Sequence, residues 1–212
     1  MLNPVGAMQT LTLPARRLLV ADEDWAAELL VAAYTAAPAA AAWPGGAAHS
    51  RAWLRLLLRY ALHAGSVYAG PADRSVAVWL PAEAAALSWA SLLRRGQLAL
   101  PLHLGWSACR QLMHWQQQQD ERRHRALPMP HHQLLALGVR PGQQGQGAGR
   151  SLLRASVAAV GGRFLPCYAP VYSLRGLSLA RQQGFEVASY DEVPTPAGPV
   201  PCWGLVRSAS VI

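Results

Sequence analysis

Apolar positions along this chain switch repeatedly between a period near 3.6 and short unbroken runs, which predicts strands and helices in alternation. The first run, "RRLLVA" at residues 16–21, reads as a short strand. Asp22, Glu23 and Asp24 follow it, and carboxylates suit the free N–H groups of a helix start. A helix is expected over 24–37, with Trp25, Leu29 and Ala32 or Ala33 on one face. Two prolines and two glycines in residues 37–48 break it. Ser50 is then expected to cap a second helix, ended by Gly65, with Trp53, Leu57 and Ala61 on its apolar face. Arg51, Arg55 and Arg59 repeat every four residues on another face, read as solvated.

"SVYAG" (66–70) and "SVAVWLP" (75–81) are β-rich runs divided by "PADR", the pattern of a hairpin. Residues 82–125 read as helical, cut into two or three pieces at Gly96, Pro101 and Gly105. Then come an apolar strand at about 131–139, a helix over about 148–160 closed by Gly161 and Gly162, and a strand "RFLPCY" (163–168). A helix over 175–183 and strands "FEVASY" (185–190) and "CWGLVRS" (202–208) complete the chain. The order β-α-α-β-β-helices-β-α-β-α-β-β predicts an α/β or α+β domain on a mixed sheet. It is read as a loose leader (1–15) and one domain (16–212), with 82–125 as a helical insertion.

Composition narrows the function classes. The formal charge is +8, yet the basic residues, all Arg, are spread along the chain, and a nucleic-acid footprint would be a concentrated stripe. Cys109, Cys167 and Cys202 lie far apart and not in metal spacing, so neither a metal site nor a disulfide framework is expected. With no basic-then-apolar leader, and with the uncharged stretch 96–109 shorter than the ~18 residues of a membrane span, a cytoplasmic protein without nucleic-acid or membrane partners is expected, as a monomer or homodimer.

The chemistry concentrates in "LLALGVRPGQQGQGAGRSLL" (134–153), where Gly142, Gly145, Gly147 and Gly149 fall between a strand and a helix. A phosphate-cradling P-loop needs a glycine where Gln144 stands and a lysine where the chain has none. A dinucleotide fingerprint is met at Gly145 and Gly147 but fails at Arg150, and no acidic residue follows at about twenty positions. The pattern [QR]-x-x-G-x-[GA] fits without a gap at Gln144, Gly147 and Gly149, with Pro141 three residues before.

With this loop the chain resembles the GNAT superfamily of acetyltransferases. "AVWLP" (77–81), "LPCY" (165–168) and "GFEV" (184–187) look like further strands of that family in the same order. The resemblance implies a central mixed sheet flanked by helices and an acetyl-CoA cofactor. It further implies that Gln144, Gly145, Gln146, Gly147, Ala148, Gly149 and Arg150 bind the diphosphate of coenzyme A. A helix N-terminus carries about half a positive charge and unpaired N–H groups, and glycine lets the backbone approach closely. Leu137, Gly138 and Val139 are implied beside the thioester, with the Gly138 or Val139 N–H as oxyanion donor; Ser173 is implied to offer a hydroxyl to the cofactor arm or the reaction.

Transfer joins a primary amine, of a small molecule or an exposed amino group, directly to the acyl carbon. The amine must shed a proton, and the leaving thiolate is helped by an acid. Here the chain departs from the family: Leu135 stands where its strand carries a plausible Glu base, and Ala180 where it carries a Tyr acid. Replacements are sought among His131, His132, Tyr168, Tyr172 and Ser173, the adjacent histidines being read as solvated. The alternative is a catalytically degenerate acyl-CoA-binding or regulatory module. The insertion, with Trp89, Trp106 and Trp115, and the loop around Trp43 are expected to shape the acceptor pocket, unless those tryptophans serve ordinary core packing.

Overall fold

The computed structural model describes residues 15–35, 46–64, 66–84, 105–194 and 198–209. Residues 1–14 of the predicted leader, most of the insertion's first half, Gly65, Trp43 and Trp89 lie outside them. Twelve elements follow the predicted order: β1 Arg16–Arg17, α1 Glu23–Thr35, α2 Gly46–Ala64, β2 Val67–Ala69, β3 Ser75–Leu80, α3 Trp106–Ala126, β4 His132–Val139, α4 Ala148–Ala159, β5 Cys167–Val171, α5 Leu174–Arg181, β6 Glu186–Val193 and β7 Val200–Arg207. The strands form one seven-stranded mixed sheet in the order β1-β2-β3-β4-β5-β7-β6. Every adjacent pair is antiparallel except β4 and β5.

β3 is buried on both faces, and its alternation sorts the core into two layers. Val76, Val78 and Leu80 pack with α1, α2 and Leu112 of α3. Ala77 and Trp79 pack with Leu152, Leu153 and Val157 of α4 and with Ala180 of α5. The sheet is therefore covered by α1, α2 and part of α3 on one side and by α4 and α5 on the other.

Several expected details shift. Only two residues of "RRLLVA" join the sheet, because the chain turns into a 3-10 helix at Val20–Asp22. In α1 the buried face is Ala26, Ala27, Leu29 and Leu30, while Ala32 is exposed. Trp25 sits at the rim, where its Nε1 donates to Asp22 at 3.1 Å. Ser50 is no cap: α2 starts at Gly46 and buries Ser50 inside the helix. The arginines of α2 do not simply face solvent but form a ladder to α1. Arg51 reaches Glu28 at 2.6 Å, Arg55 reaches Asp24 and Glu28, and Arg59 grips both carboxylate oxygens of Glu23. The insertion ends in one helix of 21 residues, with Gly105 as its N-cap at φ 79°.

The strand expected at 163–168 forms four residues later. Gly161 (φ 92°) extends the turn after α4, accepting N–H bonds from Phe164 and Leu165, and leaves Phe164 on the surface beneath the Arg163 guanidinium. One feature of the sheet sets up everything that follows. β4 and β5 pair only at His132↔Cys167 and Gln133↔Tyr168. Beyond those pairs β4 continues with β3 up to Val139, and β5 continues with β7 up to Val171, so the two strands part.

Candidate functional site

The parted strands open a cavity of about 670 Å³. Its walls are β4 from Leu134 to Leu137 with Val139, β5 from Ala169 to Val171 with Tyr172 after it, the glycine loop with the start of α4, one face of α5, and Ala33 and Tyr34 of α1. The predicted cofactor residues Leu137, Val139, Gln144, Gly145, Gly147, Gly149, Arg150 and Ser173 all line it. Gln146 and Ala148 belong to the same loop and helix start without lining the cavity.

Three loop glycines hold φ angles that favour glycine: 80° at Gly142, 84° at Gly145 and 83° at Gly147. Gly147 is the N-cap of α4, and its carbonyl accepts the first helical bond, from Ser151 at 2.9 Å. Among the described residues, the main-chain N–H groups of Gln144, Gly145, Gly147, Ala148, Gly149 and Arg150 meet no main-chain acceptor, while that of Gln146 closes the turn at 144–145. The glutamine side chains leave this row open by folding back. Gln144 Nε2 donates to the Val139 carbonyl at 3.3 Å, and Gln146 Nε2 to the Gly142 carbonyl at 3.4 Å. Gly149 is glycine for contact rather than conformation, since a Cβ there would meet Val139 at 3.1 Å and Leu179 at 3.2 Å.

A cation missed in the sequence completes the loop. Arg175, at the start of α5, donates to Gln144 Oε1 at 3.2 Å and lies over Gly145. Arg150 and Arg175 are both exposed at the cavity wall, and among the described lining residues there is no Asp or Glu. Unpaired amides, a helix N-terminus and two guanidinium groups make this a cradle for an anion.

On β4 the expected oxyanion donors separate. Arg140 donates to the Arg74 carbonyl on the β3 side at 2.9 Å, so by strand alternation the Gly138 N–H also points to β3, opposite Val76. Gly138 is thus spent in the ladder and does not face the cleft. It is glycine because α1 crosses it: a Cβ would stand 2.9 Å from Leu30 and 3.3 Å from Ala33. The cleft side of β4 carries the Leu137 and Val139 N–H groups instead. Leu137 donates to the Tyr34 hydroxyl at 3.1 Å. Tyr34 was not singled out in the sequence, and burial raises its pKa above the ordinary value.

The other candidates divide between cavity and core. Leu135 and Ala180 line the cavity, so the positions matched to the family's base and acid face it with hydrocarbon. Ser173 also lines it, and its Oγ caps α5 by accepting the Gly176 N–H at 3.2 Å. Tyr172 faces the cavity while its hydroxyl donates to Gln119 of α3 at 3.0 Å. Tyr168 is buried away from the cavity. The two histidines are not solvated, as expected, but buried at the closed end of the strand pair. His131 lies between the Met129 carbonyl at 2.6 Å and Arg123 at 3.2 Å, and His132 Nδ1 accepts the Ala82 N–H. Trp115 packs edge-on against Trp53 with centroids 6.1 Å apart, a core role, and Trp106 is on the surface.

Burial lowers both histidine pKa values below the ordinary 6.5. The unfolded chain therefore takes up protons first on acidification. Stability is expected to be fully present above pH ~6.5 and to fall as pH drops below it, before carboxylates titrate. Thermal unfolding at pH 8 and pH 5 measures this, and replacing both residues by Gln is expected to flatten the difference.

No protein-family model matches the sequence, and no curated protein matches it. Solved structures do. A mosquito arylalkylamine N-acetyltransferase like 5b aligns with TM-score 0.63 at 13% identity, covering 92% of this chain and 98% of its own. The Drosophila melanogaster polyamine N-acetyltransferase aligns with TM-score 0.62 at 15% identity, covering 92% and 98%. The chain has the GNAT fold. A Corynebacterium glutamicum structure described as histone acetyltransferase HPA2 and related acetyltransferase shares the GNAT arrangement too, with TM-score 0.58 at 17% identity over 94% and 97% of the two chains. Among the described residues of the chain, no helix is long and apolar enough to cross a membrane.

Proposed function

We propose that this protein is an acetyl-CoA-dependent N-acetyltransferase, transferring the acetyl group directly to a primary amine. The observation that carries the reading is the row of unpaired amides at the start of α4, opening into the cavity where β4 and β5 part. The residues present fit the cofactor: the open amides among residues 144–150, with Arg150 and Arg175 beside them, would hold its diphosphate, and the apolar walls of β4 and β5 suit an uncharged arm. When bound, acetyl-CoA supplies an activated acyl carbon and a thiolate leaving group.

This chain's own residues would bind and orient the two reactants. Holding two reactants in register supplies about 7 to 11 kcal/mol of a barrier of this kind. Of the cleft-side N–H groups of β4, that of Leu137 is taken by the Tyr34 hydroxyl, and that of Val139 would stabilise negative charge on the carbonyl oxygen. The described walls carry no carboxylate to attract a polycation, and Leu134, Leu135, Ala136 and Val171 favour an acceptor with an apolar body. The surplus proton of the amine passes to water, since Leu135 and Ala180 have no group to take or give one.

A second reading, an acyl-CoA-binding module without transfer, is favoured by the hydrocarbon at those two positions. Calorimetry with acetyl-CoA, followed by free-thiol release over a panel of arylalkylamines, agmatine and amino-terminal peptides, separates the readings. Binding and release support transfer, binding without release on any amine supports the module, and absence of binding removes both.

A further inference from the structure

Tyr172 stands across the gap from β4. The two strands run parallel from His132↔Cys167 and Gln133↔Tyr168, and four residues further along each bring Leu137 and Tyr172 to about the same level. That is the level at which the family resemblance places the thioester. Tyr172 lines the cavity, yet its hydroxyl is spent on Gln119, donating to Oε1 at 3.0 Å, and Gln119 is not part of the cavity wall. The Cys202 thiol also meets that hydroxyl, but sulfur is a weak acceptor, so the carboxamide is the firm partner. Burial raises the Tyr172 pKa well above its ordinary value, which keeps the phenol protonated and donating. Gln119 is itself buried, and its neighbours on α3 are tied to both halves of the sheet. Arg122 Nε lies 3.6 Å from Asp191 of β6, and Arg123 Nη1 lies 3.2 Å from His131 Nε2 at the head of β4. Leu112 and Trp115, earlier on the same helix, pack into the α1–α2 layer. The carboxamide therefore hangs from a helix fastened on both sides of the join.

We propose that Gln119 is a positioning residue for the transfer: by holding Tyr172 it fixes the width of the cleft at the acyl group and favours acetyl over longer acyl groups. This rests on the acetyltransferase reading above. The diphosphate would be held by the loop, Arg150 and Arg175, so loosening the far wall leaves the cofactor's anchor in place. What Gln119 controls is the room between Tyr172 and Leu137. A displacement of about 1 Å there is enough to cost about 100-fold in rate, because the reactants no longer meet in line. An untethered ring can swing outward, and the gap then admits a further methylene. The role also suits a cavity with Leu135 and Ala180 in its wall, where rate depends on how closely the reactants are held.

The test uses Tyr172→Phe, which deletes only the hydroxyl, and Gln119→Leu, which removes its acceptor. On an amine the wild type acetylates, each variant is expected to lose about 10- to 100-fold in kcat while KM for acetyl-CoA stays within about threefold. One methylene is worth about tenfold or more in a fitted apolar pocket, so the wild type is expected to favour acetyl-CoA over propionyl-CoA. Both variants are expected to give back at least about threefold of that ratio. Either substitution removes the same bond, so the double variant is expected to fall no further than the worse single one. A merely structural bond would lower Tm and leave kcat and the acyl ratio as in wild type wherever the variants are folded. That result, or losses that multiply in the double variant, overturns the role of Gln119 alone. Should Gln119→Leu fail to fold, Tyr172→Phe decides the matter by the same kcat and acyl ratio. Failure of the wild type to bind acetyl-CoA, or to acetylate any amine, overturns the transfer reading and this role with it.

Discussion

Gly147→Trp is expected to weaken acetyl-CoA binding by about 100-fold or more, roughly 2.7 kcal/mol at tenfold per 1.4 kcal/mol. Gly147 caps α4 with φ 83°, lines the cavity, and has nothing within 4 Å of where a Cβ would stand. An indole projected there occupies the space above the open amides. The conformational cost of a side chain at positive φ is separate, about 1–2 kcal/mol, and lowers Tm by some 2–4 °C per kcal/mol in a chain of this size. Gly147→Ala carries that cost without the bulk and is expected to bind within a few-fold of wild type. Calorimetry on both variants separates strain from obstruction. Wild-type affinity in the Trp variant would place the diphosphate elsewhere.

Gly138→Val is expected to cost about 1–3 kcal/mol of stability by overpacking and to lower turnover beyond what the stability loss explains. The new Cβ would meet Leu30 Cδ2 at 2.9 Å, and Leu29 Cδ2 and Ala33 Cβ at 3.3 Å. The leucine ends can swing aside, but the Ala33 Cβ is fixed to the helix backbone, so α1 itself must move. Tyr34 is the next residue, and moving it breaks the 3.1 Å bond from Leu137. Differential scanning calorimetry and a kcat measurement check the two effects. An unchanged Tm would mean that α1 does not press on β4 as described.

The loop was legible because its chemistry is local. Turning the backbone through positive φ and baring amides to an anion both demand glycine, and Gly142, Gly145 and Gly147 stand in sequence where they act in space. The order of elements was legible for a similar reason, each being short, periodic and closed by glycine or proline. Tyr34 was not legible, because the amide it meets is 103 residues away and only the crossing of α1 over β4 brings them together. The direction of the Gly138 N–H was hidden too: it depends on the register of β3 with β4, which a one-residue shift would reverse. The histidines misled because a strand start usually faces water, whereas here the closed end of the strand pair is capped by Arg123 and the Ala82 main chain. The α2 arginines needed α1 to be placed before their partners Glu23, Asp24 and Glu28 could be seen.

The parting of β4 from β5 has a mechanical consequence as well. Four antiparallel strands lie on one side of the join and three on the other, and each group is cross-linked along its length while only two residue pairs bridge them. Such a sheet is stiff within each panel and compliant between them, like two boards sharing a short hinge. A molecule wedged into the gap would supply the missing rungs and so would brace both panels and not the pocket alone.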